Sequence, residues 1–186
     1  MALKSCPRRS IIVSMRFEKT SQEEAEAQYS KFLKRPLTNE DKQVVAEALR
    51  DLPMPSRATE GSAGYDFYCP FDVELANVKN EPTSCSHLRI PLFIKLVDMP
   101  NRTVMFLFNR SSLSLKDHLT IDNCVGVIDS DYNLCVLVQI SGPADRGRIE
   151  KGEKVIQGVI TDFLVVDNDR VIEKERKGGL GSTGRK

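Results

Sequence analysis

From Arg57 onward the chain is a succession of short apolar runs, each soon broken by Gly, Pro, Asn or Asp. Candidate strands are Gly64 to Tyr68, Phe71 to Leu75, Leu88 to Val97, Thr103 to Phe108, Leu119 to Asn123, Leu134 to Ile140 and Val155 to Val166. Many short strands with no helices between them predict an all-β sandwich or barrel. Upstream, Ile11 to Glu18 reads as a first strand within residues 10–18, apolar and then alternating. Ser21 and Glu24 have capping-box spacing, and Ala25, Tyr29, Phe32 and Leu33 share one helical face until Pro36 ends it. A second helix begins near Thr38 or Asn39, carries Val44, Val45, Ala48, Leu49 and Leu52 at helical spacing, and stops before Pro53 and Pro55. The charged faces of both helices mix signs, so the pair is expected to pack on the side of the β domain and not on a membrane. After Asp169 the chain turns polar and then glycine-rich, and residues 170–186 are expected to form a mobile arm.

At 186 residues the chain fits one well-filled core, so residues 1–186 are expected to form a single domain. Its 27 basic and 26 acidic residues nearly cancel. No whole-protein field then draws it to nucleic acid or to an anionic membrane, and any polyanion must be held locally. The five cysteines, Cys6, Cys69, Cys85, Cys124 and Cys135, form no CxxC pair. Neither a disulfide framework nor a thiolate metal site is implied, and a reducing cytoplasm is the expected setting. Residues 1–10 are basic but precede no apolar segment of secretory or membrane length, and Met15 offers a second start.

Five polar or glycine-bearing segments interrupt the β pattern: Arg57 to Asp66, Asn109 to Ser114, Ile121 to Tyr132, Gly152 to Gln157, and the tail from Gly178 with Arg176 before it. Arg110 beside two hydroxyls can donate several hydrogen bonds to phosphate oxygens, and small residues let backbone N–H groups approach as well. In Val125-Gly126-Val127-Ile128-Asp129-Ser130-Asp131-Tyr132 an apolar run reaches two carboxylates flanking one serine, then an aromatic. That reads as a strand, a tight hairpin and a return strand with carboxylates at its lip. Taken singly, each segment has the composition of an ordinary turn, strand or tail.

In this order and combination they resemble the five motifs of the trimeric dUTPase family, over about Pro55 to Gly184. The resemblance implies an all-β, jelly-roll barrel whose three active sites lie between the chains of a homotrimer. Against that pattern residues 21–52 are a two-helix N-terminal insertion, residues 55–169 the β core, and the glycine-rich end a flexible arm. The implied reaction is hydrolysis of dUTP to dUMP and pyrophosphate with Mg2+. Asp129 then matches the carboxylate that activates the attacking water, and Gln157 a phosphate contact also placed near that water. Asn123 matches an amide that pairs with uracil in some members, and Tyr132 a ring against the deoxyribose that excludes ribonucleotides. Arg110, Ser111, Ser112, Val127 and Lys154 fall among the substrate contacts. Asp66 matches a carboxylate linked to the metal through water, since Mg2+ keeps several of its waters. Arg176, Gly179, Leu180, Ser182 and Thr183 match the arm that closes over the nucleotide.

Three positions depart from the pattern. Asn133-Leu134 stand in place of Arg-Gly, Asn109 in place of Pro or Gly, and Leu180 where an aromatic stacks on uracil. Two other readings suit similar motifs: a dCTP deaminase or bifunctional relative, and a regulatory nucleotide-binding trimer that uses the helices as a contact surface. The deaminase reading is weakened by the intact Gly-Val-Ile-Asp-Ser-Asp-Tyr and by the absence of a zinc deaminase signature.

Overall fold

A computed structural model, which describes residues 15–75, 85–143 and 147–170, resolves the apolar runs into four sheets. In chain order the elements are β1 (Arg16–Lys19), α1 (Gln22–Leu33), α2 (Asn39–Asp51), β2 (Ser56–Arg57), β3 (Gly64–Tyr68), β4 (Val73–Glu74), β5 (Cys85–Pro91), β6 (Ile94–Val97), β7 (Thr103–Asn109), α3 (Ser111–Lys116), β8 (Thr120–Ile121), β9 (Gly126–Asp129), β10 (Leu137–Pro143), β11 (Arg148–Ile149) and β12 (Lys154–Asp162). The largest sheet has the order β2-β3-β12-β7-β9, a second has β5-β10-β8, and the pairs β1-β6 and β11-β4 complete the set. The molecule is mostly β, and its buried side chains form one core to which both long helices contribute.

The helices begin where the caps predict. Thr38 caps α2 in a full capping box with Asp41. Ser21 caps α1 by accepting from Glu24 N, but the Glu24 carboxylate does not return to close the box. Ala25 and Tyr29 of α1 and Val45 and Ala48 of α2 are buried. Tyr29 meets Phe71 edge-on at 4.7 Å, and Phe71 meets Phe93 at 5.6 Å. The helices are thus tied into the aromatic core through α1 and do not ride on a polar surface.

Several strands differ from the sequence expectation. The run Leu88 to Val97 is two strands, because Phe93 turns left-handed at φ 54 while fully buried. The strand expected over Val155 to Val166 spans Lys154–Asp162, since its partner β7 begins at Thr103, opposite Asp162, and leaves residues 163–166 without a ladder. Phe71 to Leu75, Leu119 to Asn123 and Leu134 to Ile140 shrink or shift to β4, β8 and β10. β2, β11 and α3 were not expected, and α3 interrupts the β region. Residues 11–14 of the first strand lie outside the described residues, as does all of the arm beyond Arg170.

The hairpin expected at Asp129 is absent. β9 pairs with β7, whereas β10 pairs with β5 and β8 in another sheet. A two-residue hairpin loop needs positive φ at its centre, and neither Ser130 nor Asp131 has it. Instead Tyr132 N donates to Asp129 O at 3.0 Å, which closes a β-turn that sends the chain across to the second sheet.

Register places the remaining chemistry. In the large sheet Asp66 lies opposite Gln157, which lies opposite Phe108, while Asp129 lies opposite Val104. Strand alternation therefore puts Asp66, Gln157, Phe106, Phe108, Val127 and Asp129 on one face. Lys154 and Gln157 are three residues apart and would normally face opposite ways. A bulge between Lys154 and Ile156 buries Val155 and Ile156 together and returns Lys154 to the face of Gln157.

Candidate active site

Asp66 on β3 is 7% exposed, and cations take both of its oxygens. Arg110 Nε donates to Oδ1 at 3.0 Å and Lys154 Nζ to Oδ2 at 2.8 Å. Arg110 also donates from Nη1 to the Lys154 carbonyl at 3.3 Å. The guanidinium thereby spends two of its five donors on orientation and keeps the rest for a ligand. Two cations around one carboxylate leave the cluster net positive, and its Asp66 and Arg110 line a cavity of about 420 Å³. Ser62, Gly64, Ser111, Gln157 and Val159 line it as well. Arg110 stands at the N-cap of α3 without a side-chain cap, so Ser111 and Ser112 open the helix as exposed hydroxyls in its first turn.

Gln157 lies between two strands: its Nε2 donates to the Asn109 carbonyl on β7 at 3.1 Å, and its Oε1 lies over Gly64 on β3. It fits because Gly64 has no side chain: a Cβ there would stand 2.7 Å from Gln157 Oε1. Asn109 Oδ1 in turn accepts from Ile121 N at 2.8 Å and joins β7 to the turn that carries Asn123. The cradle consists of Asp66, Arg110, Ser111, Lys154 and Gln157, a set built to hold an anion.

The other candidates form a second group. Asn123 is exposed in the turn between β8 and β9, and Val127 is 55% exposed on β9. Asp129 is half-buried at the end of that strand, and Tyr132 is 8% exposed with its hydroxyl donating to Cys135 O at 2.9 Å. Beside Asn123, Asp122 Oδ2 accepts from His87 Nδ1 at 3.0 Å and Gln139 Nε2 at 2.5 Å. Burial pushes the Asp122 carboxyl up, but Ser141, Gln139 and His87 outweigh it and hold the group below the usual carboxylate range.

Asp129 and the cradle do not meet within one chain. Asp66 and Asp129 are three strands and four register positions apart, a separation of roughly 20 Å. Arg176, Gly179, Leu180, Ser182 and Thr183 lie outside the described residues. Sequence reading missed Gly64 and Asn109 as supports of Gln157. Only the departure from pattern at Asn109 signalled it, and Gly64 looked like any glycine at a strand start.

A β protein with a cationic, hydroxyl-lined cradle on one sheet face, and a separate amide and carboxylate on the next turn and strand, belongs to the class that binds phosphorylated nucleotides. The dUTPase family model matches residues 50–184, and the chain belongs to that family. The deoxyuridine 5'-triphosphate nucleotidohydrolase of Lactococcus lactis subsp. lactis is 37% identical over 148 residues, covering 70% of this chain and 87% of that protein. The enzyme of the same name from Caulobacter vibrioides is 34% identical over 144 residues, covering 74% and 90%. Among solved structures, Streptococcus mutans dUTPase superposes with TM-score 0.53 at 32% identity over 62% of this chain and 89% of that one. A dUTPase of Staphylococcus bacteriophage 80alpha reaches TM-score 0.57 at 21% identity over 88% and 99%, a likeness of fold.

Proposed function

We propose that the chain hydrolyses dUTP to dUMP and pyrophosphate, limiting uracil in DNA and supplying dUMP for thymidylate synthesis. The observation that carries this reading is the cradle of Arg110, Lys154, Ser111 and Gln157, held by Asp66 and able to take a triphosphate. It lies within the matched region. Asp129 holds a water in line with the α-phosphorus and takes its proton as the new P–O bond forms. The bond to the bridging oxygen then breaks, and pyrophosphate leaves with the charge of that oxygen. Gln157 orients the same water, while Arg110, Ser111, Ser112 and Lys154 bind phosphate oxygens. Asn123 pairs with uracil, Val127 borders the nucleoside, and the Tyr132 ring lies against the deoxyribose where a 2'-hydroxyl would clash. In the arm, Arg176, Ser182 and Thr183 meet the phosphates, and Gly179 with Leu180 covers the base.

Mg2+ fits this site through water. Both Asp66 oxygens are committed to cations, and no three His, Cys, Asp or Glu side chains gather to ligate a metal among the described residues. Asp66 would act on such an ion from beyond its waters, which suits a carboxylate already paired with two cations. When bound, Mg2+ supplies charge neutralisation of the triphosphate.

The working unit is a homotrimer with sites shared between chains. The roughly 20 Å between Asp129 and the cradle supports sharing, because one water cannot touch both. The exposed run Phe163 to Val166, with Leu164 at 96%, supports a covering copy, and the family resemblance favours three copies. We assign residues 21–52 as an addition to the family core; nearly all of them precede the match, which begins at residue 50. Among the described residues no helix is long and apolar enough to cross a membrane. The free thiols Cys69, Cys124 and Cys135 suit the cytoplasm. Incubation with dUTP, dCTP and UTP, read for pyrophosphate and ammonia, tests the reading. Pyrophosphate from dUTP alone is expected; ammonia from dCTP would favour the deaminase, and no product from any nucleotide would favour a regulatory trimer.

A further inference from the structure

Glu24 turns away from its own helix. Its backbone N–H takes the Ser21 cap at 3.2 Å, but the carboxylate enters the β core. There Oε1 accepts from the Cys135 N–H at 3.1 Å and Oε2 from Lys95 Nζ at 3.3 Å. The carbonyl of that same Cys135 accepts the Tyr132 hydroxyl at 2.9 Å, and Tyr132 N donates to Asp129 O at 3.0 Å. Cys135 is 1% exposed, and the acceptor that its N–H meets is the Glu24 carboxylate. A continuous chain of bonds thus runs from α1 through Cys135 to Tyr132 and the turn that carries Asp129. Glu24 itself stands before residues 50–184, the region that the family model matches.

We propose that Glu24 is a positioning residue for Tyr132: by fixing Cys135 it sets the depth of the ring, and with it the discrimination between deoxyribose and ribose. This rests on the reading of Tyr132 as the sugar-facing ring. The charge of Glu24 is matched by Lys95, and each side chain keeps about a quarter of its exposure, at 24% and 23%. The carboxylate is therefore compensated in place and free to serve as an acceptor.

The test is steady-state kinetics of the full chain with dUTP and UTP, alongside melting and oligomer size. Glu24→Ala is expected to lower the dUTP/UTP ratio of kcat/KM roughly tenfold, with kcat for dUTP near wild type. Glu24→Gln keeps an acceptor for the Cys135 N–H and should restore most of the ratio. Tyr132→Phe, which removes only the hydroxyl bond, should lower the ratio by the same order, and the double variant should fall no further. A folded, assembled Glu24→Ala with the wild-type ratio overturns the proposal. Should Glu24→Ala not fold, Glu24→Leu, of similar size but without an acceptor, takes its place: a wild-type ratio there overturns the proposal, and a lowered one supports it. Tyr132→Ala separates the two readings. An unchanged ratio in Tyr132→Ala refutes the sugar-facing role itself, whereas a collapsed ratio beside unaffected Glu24→Ala and Tyr132→Phe refutes only the link.

Discussion

In the proposed cradle, Gln157, Arg110 and Lys154 are held by neighbours whose own role is mechanical. Gly64 makes room for Gln157, so Gly64→Ala should force the amide aside, because the new Cβ would stand 2.7 Å from Oε1. We expect turnover of dUTP to fall about tenfold, with the melting temperature nearly unchanged, since the misplaced group is polar and partly exposed. Kinetics and calorimetry on the same preparation check both halves. Asp129→Asn keeps the size of the side chain and removes the carboxylate proposed as the base. Turnover should fall by roughly 10²–10⁴ while a non-hydrolysable dUTP analogue still binds with near wild-type affinity. Turnover near wild type would show that Asp129 is not the base. The cradle residues were legible in the sequence because Arg-Ser-Ser and the motif order are chemical statements. Gly64, Asn109 and Glu24 were not, because their role is set by what lies across a sheet or a helix, a relation that linear spacing does not encode.

Among the elements, the turn between α1 and α2 is held by charge. Arg35 beside Asp41, with the Thr38 cap, holds the Asp41 carboxyl well below the usual carboxylate range. A carboxyl whose folded value is depressed adds stability above its unfolded value of about 3.9, and that stability is lost as pH falls through the folded value. The helix pair should therefore loosen only below about pH 4. Asp41→Asn should flatten that part of the pH dependence in a far-ultraviolet melt, and an unchanged acid limb would contradict the assignment. The segment after β12 is the second case. Phe163 to Val166 extends past the start of β7, leaving Leu164 at 96% and Val166 at 68% exposed. Leu164→Asp with Val166→Asp should convert the assembled enzyme to smaller species by light scattering and abolish activity. Strand identity was readable from alternation, but strand ends and pairing partners were not. Asp129 shows why: its flanking residues suit a hairpin, while the buried Tyr132 and the type of turn send the chain to another sheet.

At the scale of the whole molecule, the chain folds around one core yet separates the proposed base from the proposed phosphate cradle. Asp129 and the Asp66 cradle share a sheet face at opposite corners, with Phe106, Phe108 and Val127 between them. No rotamer change closes roughly 20 Å, so with Asp129 proposed as the base, the phosphates of one cradle would be served by the Asp129 of another copy. The most direct measurement mixes two inactive chains, Asp129→Asn and Arg110→Ala, by co-expression or joint refolding at equal amounts. If base and cradle come from different chains, random assembly leaves about a quarter of the sites with both groups intact, and dUTP hydrolysis should return to about a quarter of wild type. Should the mixture stay as inactive as its components while forming mixed oligomers, each site belongs to a single chain and the shared-site account is wrong.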